Sequence, residues 1–382
     1  MDKQCVLASV LEPTEENIKK CAEEILKGGI VGMPTETVYG LAASAFNVSA
    51  CEKIFQYKGR PLSDPLIVHV SSMEMAHTIT QLDTETEELF TILSKHFWPG
   101  PLTIVLKANP DLIDKKLIAG GDSVGIRFPI HEIAQKFIKA CGVPIAAPSA
   151  NKFCHISPVN PYHVYEDFKE FPVMILNGGV CTFSMESTVI KITKEKIIMF
   201  RMGAVSPDDI KKVLYKIDKY KDFPIECLAK KIKVPSHVIK EMSSGKQDNS
   251  TTINQEAPGQ FLKHYSPKLE TFLYSGEDCV DYVKEINLND KIVFIDYMGI
   301  LYSKFGNKVS NKANYLELSQ TGNSKEVMKN FYDFLHKAEA IPNMNTIVIC
   351  DLDKYMEENE HKLTLLDRMW KAASFKKVKI NI

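Results

Sequence analysis

Two nucleotide signatures are missing from this chain of 382 residues: it has neither a Gly-x-x-x-x-Gly-Lys loop nor a Gly-x-Gly-x-x-Gly fingerprint. Any nucleotide it binds must be held by another route. Its nine cysteines are odd in number and include no Cys-x-x-Cys pair, which argues against a disulfide framework and a structural zinc site and for a reducing compartment. The net charge is −1, so no global field draws the chain to nucleic acid or membrane, and any such binding must rest on a local patch. No apolar run approaches the ~18 residues of a membrane span. The opening residues soon reach Glu12, Glu15 and Glu16, with neither a signal-peptide core nor an Arg-rich presequence. A cytoplasmic protein without membrane contact is the expectation.

What is present reads as soluble and globular: 45% hydrophobic and 25% charged residues, in a chain long enough for two domains with separate cores. The first two hundred residues alternate helix-like and strand-like segments. Apolar positions Ile18, Ala22, Ile25 and Leu26 predict a helix over 15–27, stopped at Gly28-Gly29, and a strand follows over 30–33. Ser49 with Glu52 predicts a capping box for a helix ending near Lys58, and Thr84 with Glu87 predicts another reaching Phe97. Strands are expected over 66–70, 102–106, 124–128, 143–147 and 173–176, with a hairpin from 187–192 and 196–201. Ser206-Pro207 opens a further helix. The polar stretch 243–256 reads as a linker. Beyond it, strands over 271–274, 292–297 and 346–350 and helices over 278–286, 325–340 and 363–373 fit a second α/β domain of about 110 residues.

Several short segments carry chemistry. Lys58-Gly59-Arg60-Pro61 sets two cations at a helix end, and Ala147-Pro148-Ser149-Ala150-Asn151 sets a hydroxyl and a carboxamide at the mouth of an apolar strand. Charge neutralisation plus oriented donors is what a polyphosphate needs. The alternative for the cations is complementing the helix macrodipole. The polar turn from Pro34 to Gly40, with Thr35 and Thr37, follows the first strand, where α/β proteins bind ligands, although hydroxyls capping a turn would look the same. His69 lies within an apolar strand, where a satisfied core histidine is the ordinary reading. Arg127, inside the apolar run Gly125-Ile126-Arg127-Phe128, needs an anion, either a protein carboxylate or a substrate one. Glu186-Ser187-Thr188 and Phe200-Arg201 add a hydroxyl and a third cation at hairpin ends. Pro258-Gly259 through His264-Tyr265-Ser266-Pro267 reads as a loop that docks.

Taken in order, Pro34-Thr35-Glu36-Thr37-Val38-Tyr39-Gly40, Lys58-Gly59-Arg60-Pro61 with Pro65-Leu66-Ile67-Val68-His69, Pro99-Gly100-Pro101-Leu102-Thr103, Gly125-Ile126-Arg127-Phe128-Pro129 and Pro148-Ser149-Ala150-Asn151 resemble the YrdC-like threonylcarbamoyl-AMP synthase family, in its long two-domain form. The likeness spans about residues 10 to 210, and the segment around Tyr265 with the terminal α/β domain is similar to the long form's extension. It implies a YrdC-like twisted mixed sheet with helices over 1–215, a linker over 216–268 holding a candidate lid at 257–267, and a smaller Rossmann-like α/β domain over 269–382. It implies synthesis of threonylcarbamoyl-adenylate and pyrophosphate from L-threonine, bicarbonate or CO2, and ATP. Partner transferases would then move the group to a tRNA adenosine beside the anticodon. The family's Lys, Arg, Ser, Asn tetrad falls on Lys58, Arg60, Ser149 and Asn151. ATP contacts fall on these and on Asp64, Ser123, Ser157, Arg201 and Tyr265, and threonine contacts on Thr37, His69, Arg127, Ala147 and Ser187. Mg2+ would travel with ATP on phosphates and water, without a protein cage. Position 62 is Leu and 63 is Ser in a stretch the family often fills differently, which bears on Asp64.

Two other readings compete. An RNA-binding module would show tight, salt-sensitive RNA binding with little nucleotide turnover. A carbamoyl-transfer subunit of a larger maturation enzyme would carry zinc-finger cysteine pairs, which this sequence does not have.

Overall fold

A computed structural model describes residues 7–228, 264–289, 291–307 and 314–381. Their contacts divide them into two compact units: residues 7–153 and 157–228 in the first, and residues 154–156 with those from 264 onward in the second.

The first unit is built on an eleven-stranded mixed sheet. Its strands are β1 (Ser9–Leu11), β2 (Ile30–Met33), β3 (Gly40–Ser44), β4 (Ile67–His69), β5 (Leu102–Lys107), β6 (Ser123–Arg127), β7 (Ile145–Ala146), β8 (Val173–Leu176), β9 (Thr188–Ile192), β10 (Ile197–Arg201) and β11 (Ile225–Cys227). They lie in the order β1-β8-β2-β3-β7-β4-β6-β5-β9-β10-β11. β4 and β6 run parallel, and β3, β7 and β4 alternate in direction, so strand ends of both polarities meet near the middle of the sheet. β11 pairs with β10, so the first unit continues past residue 216, where a linker was expected.

Helix α1 (Glu15–Leu26) buries Ile18, Cys21, Ala22 and Ile25, one face at i, i+3, i+4 and i+7 spacing, and Thr14 caps its first turn by accepting from Asn17 N. That face meets Phe137, Ile138 and Cys141 of α5 (Glu132–Cys141) over Val31, Met33 and Ala42 of the sheet. Burial pushes the Cys21 and Cys141 thiols up to about 12, so both remain protonated and pack as small apolar groups. α2 (Val48–Lys58) and α4 (Thr84–Phe97) correct two expected caps. Asn47 and Asp83, one residue ahead of each helix, accept from Ala50 N at 3.0 Å and Thr86 N at 3.1 Å. Ser49 and Thr84 already lie inside the first turn, where a hydroxyl has no free backbone donor three residues on to itself.

In the second unit, β12 (Glu270–Tyr274), β14 (Ile292–Asp296), β15 (Tyr315–Glu317) and β16 (Thr346–Cys350) form a parallel sheet in the order β12-β16-β14-β15. Helices Ser324–Ala340 and Lys362–Ala372 accompany it. The helix expected over 278–286 is absent. Lys284–Asn287 is instead a strand, β13, paired in parallel with β17 (Val378–Asn381). The three-residue spacing of Val280, Val283 and Ile286 imitates a helical stripe, yet Val280 is 92% exposed. No core receives that stripe, and pairing with the C-terminal strand decides the conformation. The stretch 243–256 and residues 257–263 of the candidate lid lie outside the described residues. Among the described residues no helix is long and apolar enough to cross a membrane.

Phe137 is fully buried between α1 and the sheet. Phe137→Ala should lower stability by about 3–5 kcal/mol, read as a lower urea midpoint. An unchanged midpoint would show that this helix pair contributes little to holding the unit together.

Candidate active site

The turn over 34–39 joins antiparallel β2 and β3. Thr35 organises it: its hydroxyl donates to Val38 O at 2.7 Å and accepts from Thr37 N and Val38 N. Thr35, Glu36 and Thr37 are all buried. What they face is Arg127, the last residue of β6. Its Nη1 donates to Thr37 Oγ1 and its Nη2 to Glu36 Oε1, both at 2.7 Å. The anion that Arg127 needs is therefore supplied by the protein, and the turn is fastened to the centre of the sheet by a buried ion pair. Glu36 Oε2 accepts no hydrogen bond.

The Lys-Gly-Arg segment sits where α2 ends. Gly59 closes the helix in the left-handed region at φ 67°, a conformation costly for any residue with a Cβ. That turn points Lys58 back to the strand mouth after β7, where its Nζ donates to Ser149 O at 2.6 Å and Asn151 O at 2.5 Å. The loop 147–151 is itself docked: Leu41 N donates to Pro148 O and Ala150 N to Tyr39 O. Gly40 permits this approach, because a Cβ there would lie 3.0 Å from that of Ala147. Arg60 turns inward, its Nε donating to Asp64 O at 3.1 Å and its Nη2 to Pro65 O at 2.7 Å, with Asp64 Oδ2 3.0 Å away. Asp64 is fully buried and lies in the fields of Arg60, Lys58 and Arg201 together.

The remaining candidates are placed as follows. Ser187 Oγ shares a 2.7 Å hydrogen bond with Thr103 Oγ1 and accepts from Arg201 Nη2 at 3.1 Å, while Arg201 Nε donates to Ser187 O. Ser157 donates to Glu186 at 2.5 Å. His69 closes β4 in register with Arg127, and burial followed by the Arg127 charge holds its imidazole down to about 3, so it is neutral. Ala147 N donates to Ile67 O at 2.9 Å. Ser123 opens the strand that Arg127 closes, and its hydroxyl donates to Asp122. Nothing in its contacts joins it to the other candidates. Tyr265 belongs to the second unit, fully buried at φ 60° with its ring 5.0 Å from the Arg368 guanidinium. Lys58, Arg60, Asp64 and Arg201 thus form one cationic group around a carboxylate, and Arg127, Thr37 and His69 form a second.

Glu36, Thr103 and Glu186 were not among the candidates read from sequence. Each stood inside a motif already singled out, and the pointer to Glu36 was Arg127's demand for an anion.

Residues 23–203 match the family Sua5/yciO/yrdC, described as telomere recombination, and residues 205–374 match the family described as threonylcarbamoyl-AMP synthase, C-terminal domain. The chain is 31% identical to the threonylcarbamoyl-AMP synthase of Pyrococcus abyssi, over 98% of this chain and 99% of that one. It is 34% identical to the protein of that name from Bacillus subtilis, over 70% of this chain and 69% of that one. It resembles the crystal structure of P. abyssi Sua5 complexed with L-threonine at a TM-score of 0.73 and 28% identity, covering 98% of this chain and 100% of that one.

Two outcomes follow from the group around Arg127. Glu36→Ala leaves the Arg127 charge buried without its partner and should cost about 3–5 kcal/mol, most of it recovered when Arg127→Met is added. Urea titration of both single variants and the double measures this, and simply additive losses would show that the pair does not fasten the turn. His69 binds a proton below 6.5 when unfolded and only near 3 when folded, so its contribution to stability is present above 6.5 and lost as pH falls toward 3. A series of melting temperatures from pH 7 to 4 should fall less steeply for His69→Gln. Parallel curves would mean that this imidazole is not held neutral.

Proposed function

Because the chain belongs to the threonylcarbamoyl-AMP synthase family, and is an enzyme of that kind, we propose that it makes threonylcarbamoyl-adenylate and pyrophosphate from L-threonine, bicarbonate or CO2, and ATP. The observation that carries this reading is the pairing of two differently built groups in one unit. One gathers Lys58, Arg60 and Arg201 around Asp64, and the other sets Arg127 against Glu36, Thr37 and a neutral His69. The first suits a polyphosphate, the second a small molecule bearing a carboxylate. A relative crystallised with L-threonine supports threonine as that molecule.

In this scheme the threonine amine combines with CO2 to give a carbamate. A carbamate oxygen attacks the α-phosphorus of ATP and pyrophosphate leaves. Negative charge grows on the phosphoryl oxygens and the leaving group, and Lys58, Arg60 and Arg201 offset it through bonds already oriented before substrate arrives. Ser149, Asn151 and Ser157 supply hydrogen bonds to the nucleotide. Arg127 takes the threonine carboxylate on the donor positions left over after Glu36, Thr37 and Gly100 O: a guanidinium has five N–H groups, so one on each Nη remains. His69, being neutral, can accept from the threonine hydroxyl or amine, beside Ser187 and the Ala147 backbone. Mg2+ enters with ATP, held by phosphates and water. Transfer of the product to a tRNA adenosine belongs to partner proteins, and cytoplasm is where that pathway would use it.

The test is pyrophosphate release from ATP with magnesium, with and without L-threonine and bicarbonate. Release that needs both, with a threonine-containing adenylate by mass spectrometry, is the expected outcome. Lys58→Ala, Arg60→Ala and Arg127→Ala should each lower it about 100-fold or more. No release from folded protein would turn the reading toward an RNA-binding module, checked by RNA titration at two salt concentrations.

A further inference from the structure

Asp64 is surrounded in a way that a simple nucleotide contact does not explain. It is 0% exposed, on the loop between α2 and β4. Oδ2 lies 3.0 Å from Arg60 Nη2 as an ion pair, and neither carboxylate oxygen accepts a hydrogen bond. The loop closes on the same guanidinium through the carbonyls of Asp64 and Pro65, so Arg60 and Asp64 are held together by backbone as well as by charge. A buried carboxylate with a bare oxygen is costly unless something later uses that oxygen. The charged groups that act on it are Arg60, Lys58 and Arg201, all cations, yet burial outweighs the three and raises its carboxyl above the ordinary range.

The three cations therefore carry their own counter-ion. An incoming polyphosphate claims the same three cations and brings negative charge against Asp64. Like charges sharing one dry site cannot both stay ionised without a large penalty, and the usual resolution is that one of them takes a proton.

We propose that Asp64 is a resident counter-ion of the nucleotide site: when a nucleoside triphosphate binds, the Asp64 carboxylate takes one proton from solvent, releases Arg60 to the phosphates, and offers Oδ1 as an O–H donor to a phosphate oxygen. The proton returns to solvent when pyrophosphate departs, so the cycle balances. The inference rests on the nucleotide reading above and adds the regulation of that site: affinity for ATP falls as pH rises, because binding requires a proton that becomes scarcer. Asparagine at this position is the permanent mimic of the protonated acid.

Calorimetric titration of the full chain with magnesium-ATP decides the matter. Threonine and bicarbonate are left out so that no turnover occurs, and each titration is run in two buffers of different ionisation enthalpy at pH 7. The wild type should take up as much as one proton more per bound nucleotide than Asp64→Asn. The dissociation constant of the wild type should rise with pH, up to about tenfold per unit, while that of Asp64→Asn stays flat and is tighter at pH 8. Equal proton uptake and parallel pH curves would overturn the role of Asp64 while leaving nucleotide binding intact. Absence of any binding heat in both proteins would overturn the nucleotide reading and this inference with it. Should Asp64→Asn fail to fold, the wild type alone suffices, since its magnesium-ATP phosphates are already ionised at this pH. Binding heats independent of buffer would then refute the proposal, and buffer-dependent heats showing uptake would support it.

Discussion

Burying positive charge without water is the constraint on which this site depends. Arg127 closes a strand near the middle of an eleven-stranded sheet, where an unpaired guanidinium could not persist. Glu36 and Thr37 meet it from a turn ninety-odd positions earlier in sequence, and that meeting fixes where the turn lies. With the turn in place, Gly40 can start β3 close against Ala147, and the loop 147–151 can accept a backbone bond from Leu41 N and donate one to Tyr39 O. Lys58 then finds the carbonyls of Ser149 and Asn151 within reach. One ion pair thus carries consequences through turn, strand start and loop to a lysine on another element.

The two arginines are balanced by carboxylates of different standing. Glu36 comes from a separate element, and its bond to Arg127 joins two parts of the fold. Asp64 lies four residues from Arg60 on the same loop, so their pair holds nothing distant together. Losing the first would loosen the unit, whereas parting the second would cost only local rearrangement. Arg201 differs from both, being oriented by the hydroxyl and carbonyl of Ser187 rather than by an acid. Its positive charge is therefore not matched within its own hydrogen bonds.

How much of this could be read from the chain depended on range. The α1 face, the strand carrying Arg127 and the requirement for an anion were legible because periodicity and an isolated charge are local signals. The identity of that anion was not, because Glu36 lies in a turn whose position is set only once the sheet forms. Where two residues of similar chemistry stood side by side, local rules chose the wrong one. Asn47 and Ser49 are both good caps, and only the phase of the buried residues Ala50, Cys51, Ile54 and Phe55 places the helix start at Val48. The stretch 278–286 failed for the converse reason: its spacing was helical, but no neighbouring surface existed to bury the stripe, and the C-terminal strand β17 offered backbone pairing instead.

Mixed strand direction also changes where a ligand should be sought. In an all-parallel sheet, binding residues gather at the carboxyl ends of the strands. Here Arg127, His69 and Arg201 do close their strands, but Ser187 precedes β9 and Thr103 lies within β5, and the two share a hydrogen bond. Because β5 runs antiparallel to β6 and parallel to β9, the beginning of β9 is brought level with the end of β6. Leu102 pairs with Thr188 on one side while Ile104 pairs with Ile126 on the other, which sets Ser187 and Arg127 at the same edge from opposite chain directions. An edge assembled this way draws cations from strand ends and hydroxyls from strand beginnings. It can therefore surround a charged ligand with both charge and hydrogen bonds without any glycine-rich loop.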